Sequence, residues 1–143
     1  MKFSHIKNDH NPLLTILAGC HGEEPAPVLT IFNYYRDISY TLIEHNVNAV
    51  IYPLINPWGF DRNIRFNKEG LSCNSNWTGL ISEPTVYEIE VVKKDLINYN
   101  PNVFISLHED DESPNQFYVY TQRQSRFEAM LIATGAQFFS HKT

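Results

Sequence analysis

Cysteine is scarce, with only Cys20 and Cys73 in 143 residues. Two are too few for a disulfide scaffold, and in a reducing compartment both are expected as thiols. Long apolar runs are missing as well. No stretch approaches the roughly 18 residues that a membrane span needs, and the N-terminal MKFSHIKNDH has no hydrophobic signal core. The expected address is therefore the cytoplasm, with no membrane partner. Basic charge is in deficit: eleven Lys and Arg stand against sixteen Asp and Glu, a net charge of -5. No Lys/Arg stripe appears, so the electrostatic footprint of a nucleic-acid binder is missing and nucleic acid is not an expected partner. Internal repeats and low-complexity linkers are also absent. What is present is a hydrophobic fraction of 43% with nine Phe, eight Tyr and two Trp. That composition folds, and the length suits a single domain.

Short apolar runs alternate with amphipathic stretches, which predicts an α/β architecture. Leu13 to Gly19 (LLTILAG) predicts a buried strand. After the turn CHGEEPAP, residues Val28, Ile31, Phe32, Tyr35, Ile38 and Leu42 recur at helical spacing, with Pro25 and Pro27 suited to a first turn. Ala49 to Ile55 predicts a second strand, with Pro53 marking irregularity or an edge position near its end. Val103 to His108 and Phe117 to Thr121 predict a third and a fourth. Between strands two and three, Val86, Ile89, Val92 and Leu96 share a helical face, with Ser82 as the N-cap ahead of Glu83 and Pro84. A last helix is expected near Arg126 to Ala136. Continuous apolar strands need cover on both faces, so the expected fold is a three-layer α/β/α domain with a mixed, largely parallel sheet.

The stretch from Asn56 to Ile81 is rich in Asn, Gly, Ser and Trp, without sustained periodicity. Loops of that length in a compact domain are usually functional or disordered, and its aromatics argue against disorder. Ligands of open α/β sheets sit beyond the carboxyl ends of the strands. Three segments follow such ends: CHGEEP, the Asn56–Trp77 stretch, and HEDDE. His21 and Glu24 form H-x-x-E directly after a strand, a weak pattern alone. His108 ends another strand and would lie on the same sheet edge. Catalytic zinc takes three protein ligands and leaves a position open, and two His with a Glu at equivalent strand ends suit it.

The sequence Asn56-Pro57-x-Gly59, then Arg65-x-Asn67-x-x-Gly70, then Asn74-x-Asn76-Trp77 resembles the zinc carboxypeptidase signature N-P-x-G-x5-R-x-N-x-x-G-x-D-x-N-R-N-[F/W]. Upstream lies G-x-H-G-x-E (Gly19, His21, Gly22, Glu24), and downstream a strand ends in L-H-E. The short interval from Glu24 to His108 is more like the deacylase branch (aspartoacylase and succinylglutamate desuccinylase) and bacterial murein-peptide amidases. The resemblance implies Zn²⁺ held by His21, Glu24 and His108, with Arg65 polarising the scissile carbonyl and stabilising the oxyanion, in an enzyme that hydrolyses a peptide or N-acyl amino acid amide bond. Asn74 matches the asparagine that helps hold a substrate carboxylate. A non-catalytic module that binds a peptide or amino acid is the competing expectation.

Two departures accompany the resemblance. Ser75 stands where the family has the arginine that clamps the substrate carboxylate, and Ser72 where it has an aspartate. A serine cannot replace a planar fork of donors, which leaves Arg62 or Lys68 to take the carboxylate. The family's general-base glutamate, carried on a late strand, has no counterpart before residue 143. Glu128 falls in a predicted helix, and Glu109 is expected on the opposite side of its strand from His108. The expectation is one catalytic domain over residues 1–143, incomplete at its C-terminal end, or a shortened relative that buries its open sheet edge in a homo-oligomer. The acidic run Asp110, Asp111 and Glu112 is expected to be solvated, with a subsite for a substrate amino group, or carboxylates near a second metal, as the alternative.

Overall fold

The computed structural model describes residues 1–75, 77, 84–110, 116–117, 119–120, 126–137 and 140–141. The chain divides into two compact parts, Met1–Glu109 and Asp110–Thr143.

The first part is built on a four-stranded sheet in the order β1-β3-β2-β4. Its strands are β1 (Phe3–His5), β2 (Leu13–Leu17), β3 (Asn48–Tyr52) and β4 (Val103–Ser106). β2 pairs in parallel with both β3 and β4, while β1 is antiparallel to β3. The sheet is therefore mixed and largely parallel. β1 was not expected from the sequence, because three residues on an edge leave too little alternation to register.

Helix α1 (Pro25–Glu44) links β2 to β3, and α3 (Tyr87–Leu96) lies between β3 and β4. β3 and β4 lie on opposite sides of β2. Right-handed crossovers in those two directions place their helices on opposite faces of the sheet. The two cores agree. Ala18, Val28, Ile31, Ala49 and Ile51 cluster with the α1 side, and Leu17, Val50, Tyr52, Ile89 and Val92 with the α3 side. All five residues of β3 are buried, as a strand covered on both faces requires. Pro53 does not mark an edge, since β3 is interior; the strand simply stops at Tyr52.

α1 begins with Pro25, whose missing N–H costs nothing at a helix start. It ends at Glu44, and Asn46 at φ 54° turns the chain toward β3. α3 is capped at Val86 without a side-chain hydrogen bond, and the expected cap Ser82 lies outside the described residues.

The second part contains α4 (Arg126–Gly135) and a short parallel pair, β5 (Gln116–Phe117) with β6 (Ser140–His141). The strand expected over Phe117–Thr121 is not found at that length. Gln116–Phe117 is strand and pairs with β6, whereas Val119 and Tyr120 are not in a strand. Asp111 and Glu112 lie outside the described residues.

Candidate metal centre

β2 is the strand at which the sheet order reverses, and the crevice beyond its carboxyl end is where such folds bind ligands. Leu17 is level with Tyr52 on one side and Ser106 on the other, so the three chains leave the sheet together. Gly19 sits at φ 64°, where a side chain would also press on Leu54 and Val28. Gly22 packs against Gly59 and the Ile64 carbonyl, and a Cβ there would overlap the Gly59 backbone. The turn from Gly19 to Glu24 is thus fixed by the absence of side chains.

The partner in that contact is a helix, where a continuous loop was expected. α2 (Pro57–Arg62) starts with Asn56 as N-cap, its Oδ1 accepting the Gly59 N–H at 2.9 Å, and with Pro57 at the first helical position. Asn-Pro is an N-cap signal, but the short helix lacks the repeat that periodicity detects. Asn56 Nδ2 also donates to the Arg65 carbonyl at 3.3 Å. Two residues beyond Arg65, Asn67 accepts the N–H groups of Glu69 and Leu71 and donates to Glu88. Both asparagines are fully buried. The motif asparagines therefore hold the backbone that carries Arg65.

His21, Glu24 and His108 converge, with one ligand atom from each lying within 4.8 Å of the others. His21 Nδ1 is 2.6 Å from Glu24 Oε1, and His108 Nδ1 is 2.7 Å from Glu24 Oε2. The other ring nitrogens face hydroxyls: His21 Nε2 meets Ser72 Oγ at 3.2 Å, and His108 Nε2 meets Ser106 Oγ at 3.1 Å. His21 and Glu24 are buried, while His108 lies at the open side. Burial pushes the Glu24 carboxyl up, but the hydrogen bonds from His108 and His21 outweigh it and hold the group at about 2.

Arg65 reaches the same place. Its Nη1 lies 4.0 Å from Glu24 Oε1 and donates to Glu23 Oε1 at 3.1 Å. The residues proposed for a substrate carboxylate are less gathered. Arg62 donates to the Trp58 carbonyl and Asp61, and its guanidinium stacks over the Trp58 ring at 4.6 Å. Asn74 and Ser75 lie in the turn that follows Ser72, with the Asn74 N–H on Ser72 Oγ and the Ser75 N–H on the Ser72 carbonyl.

Sequence reasoning missed Glu109. Its carboxylate accepts the Ala26 N–H at 3.0 Å, and its own N–H donates to Glu24 Oε2 at 3.3 Å. It satisfies a donor in the first turn of α1 and braces the Glu24 carboxylate. Ser106 was legible in principle, because residues two apart on a strand share a face.

Two imidazole nitrogens and a carboxylate within ion-sharing distance fit a divalent metal, and the N/N/O set fits Zn²⁺. When bound, such an ion supplies Lewis acidity to a carbonyl and activates water.

No family model and no curated protein sequence matches the chain. Solved structures do. One from Shewanella denitrificans OS217, provisionally described as a metallopeptidase, is 30% identical with a TM-score of 0.80 over 99% of this chain and 54% of its own. Another so described, from Shewanella baltica OS155, is 28% identical with a TM-score of 0.77 over 97% of this chain and 56% of its own. A metallo-carboxypeptidase from Pseudomonas aeruginosa, at 19% identity and a TM-score of 0.59 over 80% of this chain and 32% of its own, shares the fold. The chain spans about half the length of the first two. In fold as in motif order, it is similar to the metallopeptidases of zinc carboxypeptidase type over that half.

Proposed function

We propose that the chain carries the zinc centre of an amide hydrolase of carboxypeptidase type, acting on a peptide or an N-acyl amino acid. The single observation that carries this reading is the convergence of both histidine Nδ1 atoms on Glu24, with Arg65 beside them at the end of β2. His21, Glu24 and His108 would hold the ion. Arg65 would donate to the carbonyl oxygen as negative charge develops on it, an interaction worth most when the donor is already aimed. Asn56 and Asn67 supply that aim through the backbone on either side. Asn74 and Ser75 would receive the carboxylate end of the substrate, and Arg62 joins them if it leaves the Trp58 ring.

One observation favours a binding module without turnover. Among the described residues, the carboxylates next to the histidines are already engaged: Glu24 with both imidazoles, Glu23 with Arg65, and Glu109 with the start of α1. Proton transfer from the nucleophile needs a base with a free lone pair within hydrogen-bond reach. Zinc-loaded protein assayed against peptides and N-acyl amino acids, with a His108→Ala control, separates the readings. Hydrolysis lost in the control supports the enzyme. Ligand binding without hydrolysis supports the module. No helix among the described residues is long and apolar enough to cross a membrane.

A further inference from the structure

We infer that Ser72 and Ser106 are positioning residues that set how tightly the centre holds its ion, an inference that rests on the metal reading above. An imidazole that turns Nδ1 toward an ion must carry its proton on Nε2, and that N–H needs an acceptor to fix the ring. Both rings have one here, and in both cases it is a serine hydroxyl.

The two serines arrive by different routes. Ser106 precedes His108 by two residues and shares its face of the extended chain. Ser72 comes from the loop after Arg65, far from His21 in sequence, and its hydroxyl also accepts the Asn74 N–H at 3.3 Å. A hydroxyl oxygen has two lone pairs, so Ser72 can accept from Asn74 and His21 together. Swinging away would undo the turn at Asn74, so the His21 ring is held by a fixed partner.

The acceptors are neutral. A carboxylate behind a ligating imidazole makes it a more basic ligand, whereas a hydroxyl orients the ring without adding charge. The centre therefore concentrates its negative charge on Glu24, and the two serines orient the rings without adding to it. Its affinity is adjustable from position 72, where the motif pattern calls for an aspartate.

The test is metal uptake by the whole chain, read by competition for Zn²⁺ against a chromophoric chelator and by the absorption spectrum of bound Co²⁺. Melting of each metal-free variant is followed in parallel. Ser72→Ala and Ser106→Ala should each weaken Zn²⁺ binding by about tenfold or more. Ser72→Thr, which keeps the hydroxyl, should restore it, and Ser72→Asp should tighten it by about tenfold. Equal affinity in the wild type and both alanine variants overturns the inference while leaving the metal reading intact. A loss in Ser72→Ala that Ser72→Thr fails to restore, with a lowered melting temperature, assigns the hydroxyl to the loop alone and also overturns it. A wild-type chain that takes up neither ion overturns the metal reading and this inference with it.

Discussion

Two carboxylates organise polar clusters in the first part of the chain, and they differ in what donates to them. Asp95 accepts from Lys2 Nζ at 3.0 and 2.8 Å and from the Tyr52 hydroxyl at 2.6 Å. Glu24 accepts from two imidazoles and one backbone N–H. The Lys2 and Tyr52 hydrogen bonds hold the Asp95 carboxyl below its ordinary range. Burial, then Asp95, pushes the Tyr52 phenol well above its own. A protonated lysine has no lone pair to offer an ion, so the Asp95 cluster is complete in itself and ties the N-terminal arm to α3. An imidazole that gives up its proton becomes a ligand. The same number of hydrogen bonds therefore builds a staple in one place and an exchangeable site in the other.

The comparison breaks most sharply at Glu24. Glu24→Gln turns one of the two acceptor oxygens into a donor and removes the ligand charge, so it should abolish Zn²⁺ uptake by equilibrium dialysis. Retained uptake would show that the two histidines suffice. Next in size is Gly22→Ala, whose Cβ would overlap the Gly59 backbone. It should cost about 3 kcal/mol, the upper part of the overpacking range, seen as a lower urea midpoint together with weaker metal uptake. Full stability in that variant would mean that the turn and α2 separate freely.

Asp95→Asn sharpens the contrast from the other side. It should lower stability by about 1 kcal/mol, as expected for a hydrogen bond to a charged group at a partly exposed site, and leave Zn²⁺ affinity unchanged. An altered affinity would show that the two clusters communicate. The smallest effect is in pH. A depressed carboxyl stabilises the fold above its unfolded value of 3.8, and that contribution is lost as pH falls through the lower folded value. The stability difference between the wild type and Asp95→Asn should thus hold above pH 3.8 and shrink below it. With the side chains of Lys2 and Asp95 34% and 31% exposed, screening leaves the ion-pair share at about 0.5 kcal/mol. A difference that stays constant down to pH 2 would assign it to shape rather than charge.

The parallel core of the fold was legible because β2, β3 and β4 are apolar runs bounded by turn residues. The α1 and α3 faces were legible because helical spacing persists for several turns. His21, Glu24 and His108 could be paired because strand ends in a parallel sheet share an edge. Arg65 entered through the motif alone, and nothing in its neighbours' chemistry announced that Asn56 and Asn67 support its backbone. Glu109 and Ser72 stayed hidden for one physical reason. Each acts across a long sequence interval on a group that no local pattern links to it.

The centre draws one histidine from the end of β2 and the other from just beyond β4, and Glu24 is 84 residues from His108. Those strands are neighbours only after two crossovers are complete, so the loop-closure entropy of almost the whole first part is spent before the ligands meet. Ion capture is therefore a late event in folding. A stopped-flow signal from Co²⁺ would follow the formation of the β2–β4 pair, and a nascent chain ending before residue 103 would hold its first two ligands without a third.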